Sequence, residues 1–109
     1  MAGYKVIEAS ELFEMMANQQ VALVDVRNDT EVLTGIIPGA IHIPLSLVPV
    51  KHDTLSKEVA TVFYCHSGIR SAQAAAYMAS KDHEQVYNLQ GGVLAWGRAG
   101  YPFDQISFI

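Results

Sequence analysis

Thr61-Val62-Phe63-Tyr64-Cys65-His66-Ser67-Gly68-Ile69-Arg70-Ser71 is the stretch on which the fold turns. Its first four residues are β-branched or aromatic and carry no charge, the pattern of a strand covered on both faces. Beyond Ser71, the run Ala72-Gln73-Ala74-Ala75-Ala76-Tyr77-Met78-Ala79 has high helix propensity, and Ser71 is predicted to cap it. The chain therefore passes from strand through tight loop to helix. Cys65 falls at the strand's carboxyl end, in the crevice where open α/β sheets take their ligands.

The loop suits an anion. Consecutive backbone N–H groups in a tight turn converge on one point, and the first turn of the helix adds unpaired donors and partial positive charge. Gly68 permits the backbone angles such a turn needs, and Arg70 adds a planar fork of donors. A free thiol with a pKa of about 8.5 is a few per cent ionised at neutral pH. Lowering it by roughly 1.5 units takes about 2 kcal/mol, within reach of a helix terminus and a few amides. Cys65 is accordingly read as a nucleophile. In isolation a cysteine is more often a small buried hydrophobe; here the glycine, arginine and helix start set it apart. His66 is a candidate to tune the thiol, because imidazole as a side-chain type can change charge near neutral pH, but adjacent side chains in a tight loop point apart, so it is expected to face solvent.

Outward from this stretch, strands alternate with helices. Lys5-Val6-Ile7 reads as a first strand, and Ser10 as the cap of a helix to about Asn18, with Leu12, Met15 and Met16 on one stripe. The apolar run Val21-Ala22-Leu23-Val24-Asp25-Val26 is predicted at the centre of the sheet. Asp25 and Arg27 close it, pairing with each other or with loop amides. Thr30 is predicted to cap a short helix holding Glu31, Val32 and Leu33 and ending at Gly35. Ile37-Pro38-Gly39-Ala40 is a turn leading into the strand Ile41-His42-Ile43, and residues 45–58 form a surface connection with a short helix. The alanines after Ser71 keep the helix thin against the sheet. Val86-Tyr87-Asn88-Leu89 is the last strand, Gln90-Gly91-Gly92 a turn, and Val93-Leu94-Ala95-Trp96 opens a final helix in which Trp96 is a structural anchor. The alternation predicts an α/β fold with a mostly parallel sheet.

The 109 residues are predicted to make one domain, half hydrophobic and 17% charged. The net charge of −4 offers no general attraction to nucleic acid or to an anionic membrane, so anion recognition has to be local. One cysteine makes no intrachain disulfide, and the N-terminus shows no apolar signal region, which together point to a reducing, cytoplasmic setting. No apolar run approaches the roughly 20 residues of a membrane span. His42, His52, His66 and His83 lack metal-ligand spacing, and neither a metal nor a cofactor is expected. The tail, residues 103–109, is apolar and is expected to pack back on the domain or to meet a partner or a second copy.

Four segments in order and spacing resemble the small single-domain form of the rhodanese (sulfurtransferase) superfamily. They are Leu23-Val24-Asp25-Val26-Arg27; Glu31 with Gly35 and Ile37-Pro38-Gly39-Ala40; Cys65 to Ser71; and Gly91-Gly92 with Ala95-Trp96. The resemblance implies a central five-stranded parallel sheet flanked by helices on both faces, and a cysteine that cycles through a persulfide. Cys65 would take a sulfane sulfur from thiosulfate or a persulfide and give it to cyanide or a thiol, on a small molecule or a protein. It further implies that the amides of His66, Ser67, Gly68, Ile69 and Arg70 cradle the sulfur, that the Arg70 side chain orients the loop or binds the donor, and that Asp25, Arg27 and Glu31 support the loop. Two positions depart from the pattern. Ile36 stands where many relatives carry histidine, and the loop has no lysine, so Arg70 is its only fixed cation and thiosulfate is expected to be a poorer donor than a persulfide. Two rival readings are a phosphatase or arsenate reductase, whose loops are one residue longer than the six from Cys65 to Arg70, and a non-catalytic interaction module, whose members usually lack the cysteine.

Overall fold

A computed structural model describes residues 3–106. Five strands, β1 (Lys5–Ile7), β2 (Val21–Asp25), β3 (Ile41–His42), β4 (Ala60–Tyr64) and β5 (Val86–Leu89), form one sheet in the order β1-β5-β4-β2-β3, with every neighbouring pair parallel. The middle strand is β4, all five of whose residues are buried. The run placed at the centre from its sequence, β2, lies one position out, between β4 and β3. Both strands are covered on two faces, so apolar content alone does not rank them.

The helices are α1 (Ala9–Asn18), α2 (Asp29–Val32), α3 (Val48–Lys51), α4 (Ile69–Ala79) and α5 (Gly92–Arg98). Strand residues alternate between two cores, as a period of two requires. Val24, Phe63 and Val86 meet Ala74, Ala75 and Met78 of α4 on one face. Leu23, Val62, Tyr64 and Leu89 meet Leu12 of α1 and Trp96 of α5 on the other. Continued one step past β4, the alternation puts Cys65 in the α4 core beside Phe63. The two alanines there are fully buried and let α4 lie close to the sheet. Trp96 is anchored by its indole N–H, which donates to the Pro102 carbonyl at 2.7 Å.

The helix starts differ from expectation. Glu8 rather than Ser10 caps α1, its amide donating to the Glu11 carboxylate at 3.0 Å. Asn28 rather than Thr30 caps α2: its side-chain oxygen accepts from the Glu31 amide at 3.0 Å, while Glu31 accepts from the Asn28 amide at 3.2 Å. This is the reciprocal capping box, and Asn28, three residues before Glu31, has the spacing for it where Thr30 does not. Gly68 rather than Ser71 caps α4, at φ +109°, which a side chain would strain. Ser71 is instead buried inside the first turn. At the other end of the chain, Ile36 and Asp104 exchange two backbone hydrogen bonds of 2.8 Å as an isolated antiparallel bridge, so the start of the apolar tail folds back on the domain. Ser107, Phe108 and Ile109 lie outside the described residues. Among the described residues no helix is long and apolar enough to cross a membrane.

Candidate active site

Cys65 directly follows β4, and its position is fixed by the peptide planes of the loop. The Cys65 and His66 carbonyls turn toward α5, where they accept from the amides of Val93 at 3.0 Å and Leu94 at 3.3 Å. In a trans peptide the N–H points opposite its carbonyl, so the Ser67 amide is turned inward to the sulfur. The Gly68 amide donates to Cys65 Sγ at 3.1 Å. Burial pushes the Cys65 thiol up, yet hydrogen bonding around the sulfur, the amides of Ser71, Gly68 and Ser67 included, brings it below its ordinary value. The Ser71 amide reaches the sulfur because α4 begins at Ile69, earlier than its sequence suggests. The cysteine is only 1% exposed, whereas the His66 side chain is exposed.

Gly92 explains the close seat of α5. At φ +53°, a Cβ there would collide with the Cys65 carbonyl oxygen and come within 2.6 Å of the His66 carbonyl oxygen. Both are backbone atoms of the loop itself. Gly92→Ala is expected to destabilise the chain by about 2–4 kcal/mol, combining left-handed backbone strain with overpacking. Urea denaturation reads the loss.

Arg70 does not stand free. Its guanidinium donates to both Glu31 oxygens, at 2.6 and 2.9 Å, tying the loop to α2. The Arg70 bond, opposed by partial burial and helped by the Asn28 amide, holds the Glu31 carboxyl down at about 2. Because this value lies below the ordinary 4.5, the pair's contribution is fully present above about pH 4.5, shrinks as pH falls, and is gone near pH 2. Both side chains are partly exposed, at 35% and 27%, so screening keeps the contribution at about 1 kcal/mol or less. Glu31→Gln is expected to lose that increment at pH 7 and to match the parent near pH 2, as denaturation at the two pH values will read.

Asp25 and Arg27 are buried at the carboxyl end of β2 and paired with each other. Arg27 donates through Nη2 and Nε to the Asp25 carboxylate at 2.7–3.1 Å, and Nη2 also reaches the Gly35 carbonyl at 2.7 Å. The pair thereby closes the segment that carries Glu31. Tyr64, whose hydroxyl accepts from the Ile37 amide at 3.0 Å, fixes the turn behind it. One residue of the site is not evident from its local sequence. Asn88 of β5 bridges the Gly68 carbonyl and Ser71, and the available signal was a polar residue in an otherwise buried strand end.

The class this defines is an α/β domain that presents a cysteine in an amide-lined loop between a middle strand and a helix. The chain belongs to the rhodanese-like domain family, whose model matches residues 8–99. It is 39% identical over 97 residues to a sulfurtransferase of Allochromatium vinosum, a match covering 88% of this chain and 91% of that one. A provisionally named sulfurtransferase of Bacillus subtilis, YtwF, is 41% identical over 80 residues, covering 73% and 77%. Among solved structures, a rhodanese-related protein from Thermoplasma volcanium superposes with a TM-score of 0.84 at 30% identity, covering 93% of this chain and 98% of that one.

Proposed function

We propose that this chain is a sulfurtransferase in which Cys65 carries the sulfur. The thiolate attacks the terminal sulfur of a donor persulfide; the Cys65–sulfur bond forms as the donor's S–S bond breaks, and the electron pair leaves with the donor thiolate. With thiosulfate the leaving group is sulfite. An acceptor thiolate or cyanide then attacks the outer sulfur, giving a new persulfide or thiocyanate and returning the Cys65 thiolate. No net oxidation occurs, and the covalent intermediate divides one transfer into two steps.

The observation that carries this reading is the Gly68 amide 3.1 Å from Cys65 Sγ, in a loop whose neighbouring amides also face the sulfur. Such donors, fixed before reaction, stabilise an anionic sulfur. A nearly buried thiol also suits a donor whose reacting atom is terminal, and is a poor fit for phosphorus enclosed by four oxygens. With Arg70 held by Glu31, the loop has no free fixed cation of its own for a dianion, which favours a persulfide donor over thiosulfate.

Intact-protein mass spectrometry tests the proposal. After incubation with a small alkyl persulfide, the chain is expected to gain one sulfur atom, lost again on adding cyanide, with a slower gain from thiosulfate. Turnover of a small aryl phosphate without any sulfur uptake would replace this reading with the phosphatase one.

A further inference from the structure

Asn88 is 7% exposed and makes two side-chain hydrogen bonds within the loop region. Its Nδ2 donates to the Gly68 carbonyl at 3.1 Å, and its Oδ1 accepts from Ser71 Oγ at 2.5 Å. The same Ser71 Oγ lies 3.4 Å from Cys65 Sγ. A hydroxyl has one proton, so it cannot serve both neighbours fully. The network assigns it. The Gly68 carbonyl only accepts, which requires the amide nitrogen of Asn88 on that side and its oxygen toward Ser71. That oxygen has no proton to offer, so the short bond takes the Ser71 proton. Ser71 therefore presents lone pairs to the sulfur: it can accept from an S–H and has nothing to give a thiolate.

We propose that Asn88 is a positioning residue that withholds the Ser71 proton from Cys65, leaving main-chain amides to hold the anion. The inference rests on the sulfurtransferase reading for its purpose. Once Cys65 carries sulfur, the negative charge resides on the outer atom, one bond beyond Sγ. A hydroxyl donor fixed on Sγ would stabilise the unloaded thiolate alone and blunt its nucleophilicity, which falls as the thiol becomes more acidic. The charged groups around the loop are Arg70, held by Glu31 of α2, and the mutually paired Asp25 and Arg27 of β2.

The test is a pH titration of the thiolate's ultraviolet absorbance in the parent, Ser71→Ala, Asn88→Leu and the double variant, with Cys65→Ser as blank to subtract the tyrosines. Ser71→Ala is expected to leave the midpoint unmoved or slightly lower. Asn88→Leu frees the hydroxyl to turn to the sulfur and is expected to lower the midpoint by about one pH unit, tenfold in the ionisation constant; adding Ser71→Ala is expected to abolish that drop. A rise of the midpoint in Ser71→Ala overturns the proposal, as does an unchanged or raised midpoint in Asn88→Leu, the result of mere loop loosening. If Asn88→Leu does not fold, the sign in Ser71→Ala alone decides. The titration needs no sulfur donor, so it succeeds or fails apart from the uptake experiment that tests the function.

Discussion

Cys65→Ser is expected to take up no sulfur and to lose transfer completely, by more than about 10³-fold, while its unfolding free energy stays within about 1 kcal/mol of the parent. The chain has one cysteine, and the proposed intermediate is a sulfur–sulfur bond that oxygen cannot replace. The fold is expected to survive because the site already contains what a hydroxyl needs: the Gly68 amide donates to Sγ at 3.1 Å and is placed to donate to Oγ. Serine gives up some apolar burial at a position 1% exposed, and the hydrogen bonds offset part of that cost. Intact mass after persulfide treatment reads the chemistry, and urea denaturation reads the fold. Sulfur gained by the serine chain would take Cys65 out of the mechanism, whereas loss of uptake together with loss of fold would point to a scaffold effect.

Much of this arrangement is legible in the sequence because it depends on local pattern. The strand of residues 61–64, the turn at Gly68 and the alanine-rich helix are each fixed by neighbours in the chain, and the all-parallel sheet follows from their alternation. What local pattern does not give depends on competition between nearby residues or on tertiary partners. Ser71 has the right chemistry for a cap, but Gly68 adopts a positive φ and starts α4 earlier, so the serine turns inward. Thr30 lost the cap of α2 to Asn28, which has Glu31 three residues on. The Arg70–Glu31 pair spans 39 positions, and no local pattern announces it. The bridge from Ile36 to Asp104 is equally remote. Asn88 read as one more strand residue because its two partners come from another element.

Arg27→Met is expected to cost about 3–5 kcal/mol, the range for stripping one partner from a buried ion pair. Asp25 is fully buried and Arg27 is 3% exposed, so removing the guanidinium leaves a carboxylate with little solvent to turn to. Three side-chain contacts of 2.7–3.1 Å disappear, while the Arg27 backbone amide, at 2.9 Å, still donates to it. The Gly35 carbonyl loses its 2.7 Å donor as well. The loss should therefore exceed what removing the pair as a unit does. In the double variant Asp25→Asn, Arg27→Met, the asparagine oxygen can keep the backbone amide and no charge is stranded. Its expected cost is about 1–3 kcal/mol, set by the Gly35 carbonyl and the lost hydrogen bonds. Urea denaturation of the three chains at neutral pH gives the order. A double variant as unstable as Arg27→Met would mean that the guanidinium's bond to Gly35, and so the closure of the segment carrying Glu31, outweighs the buried charge.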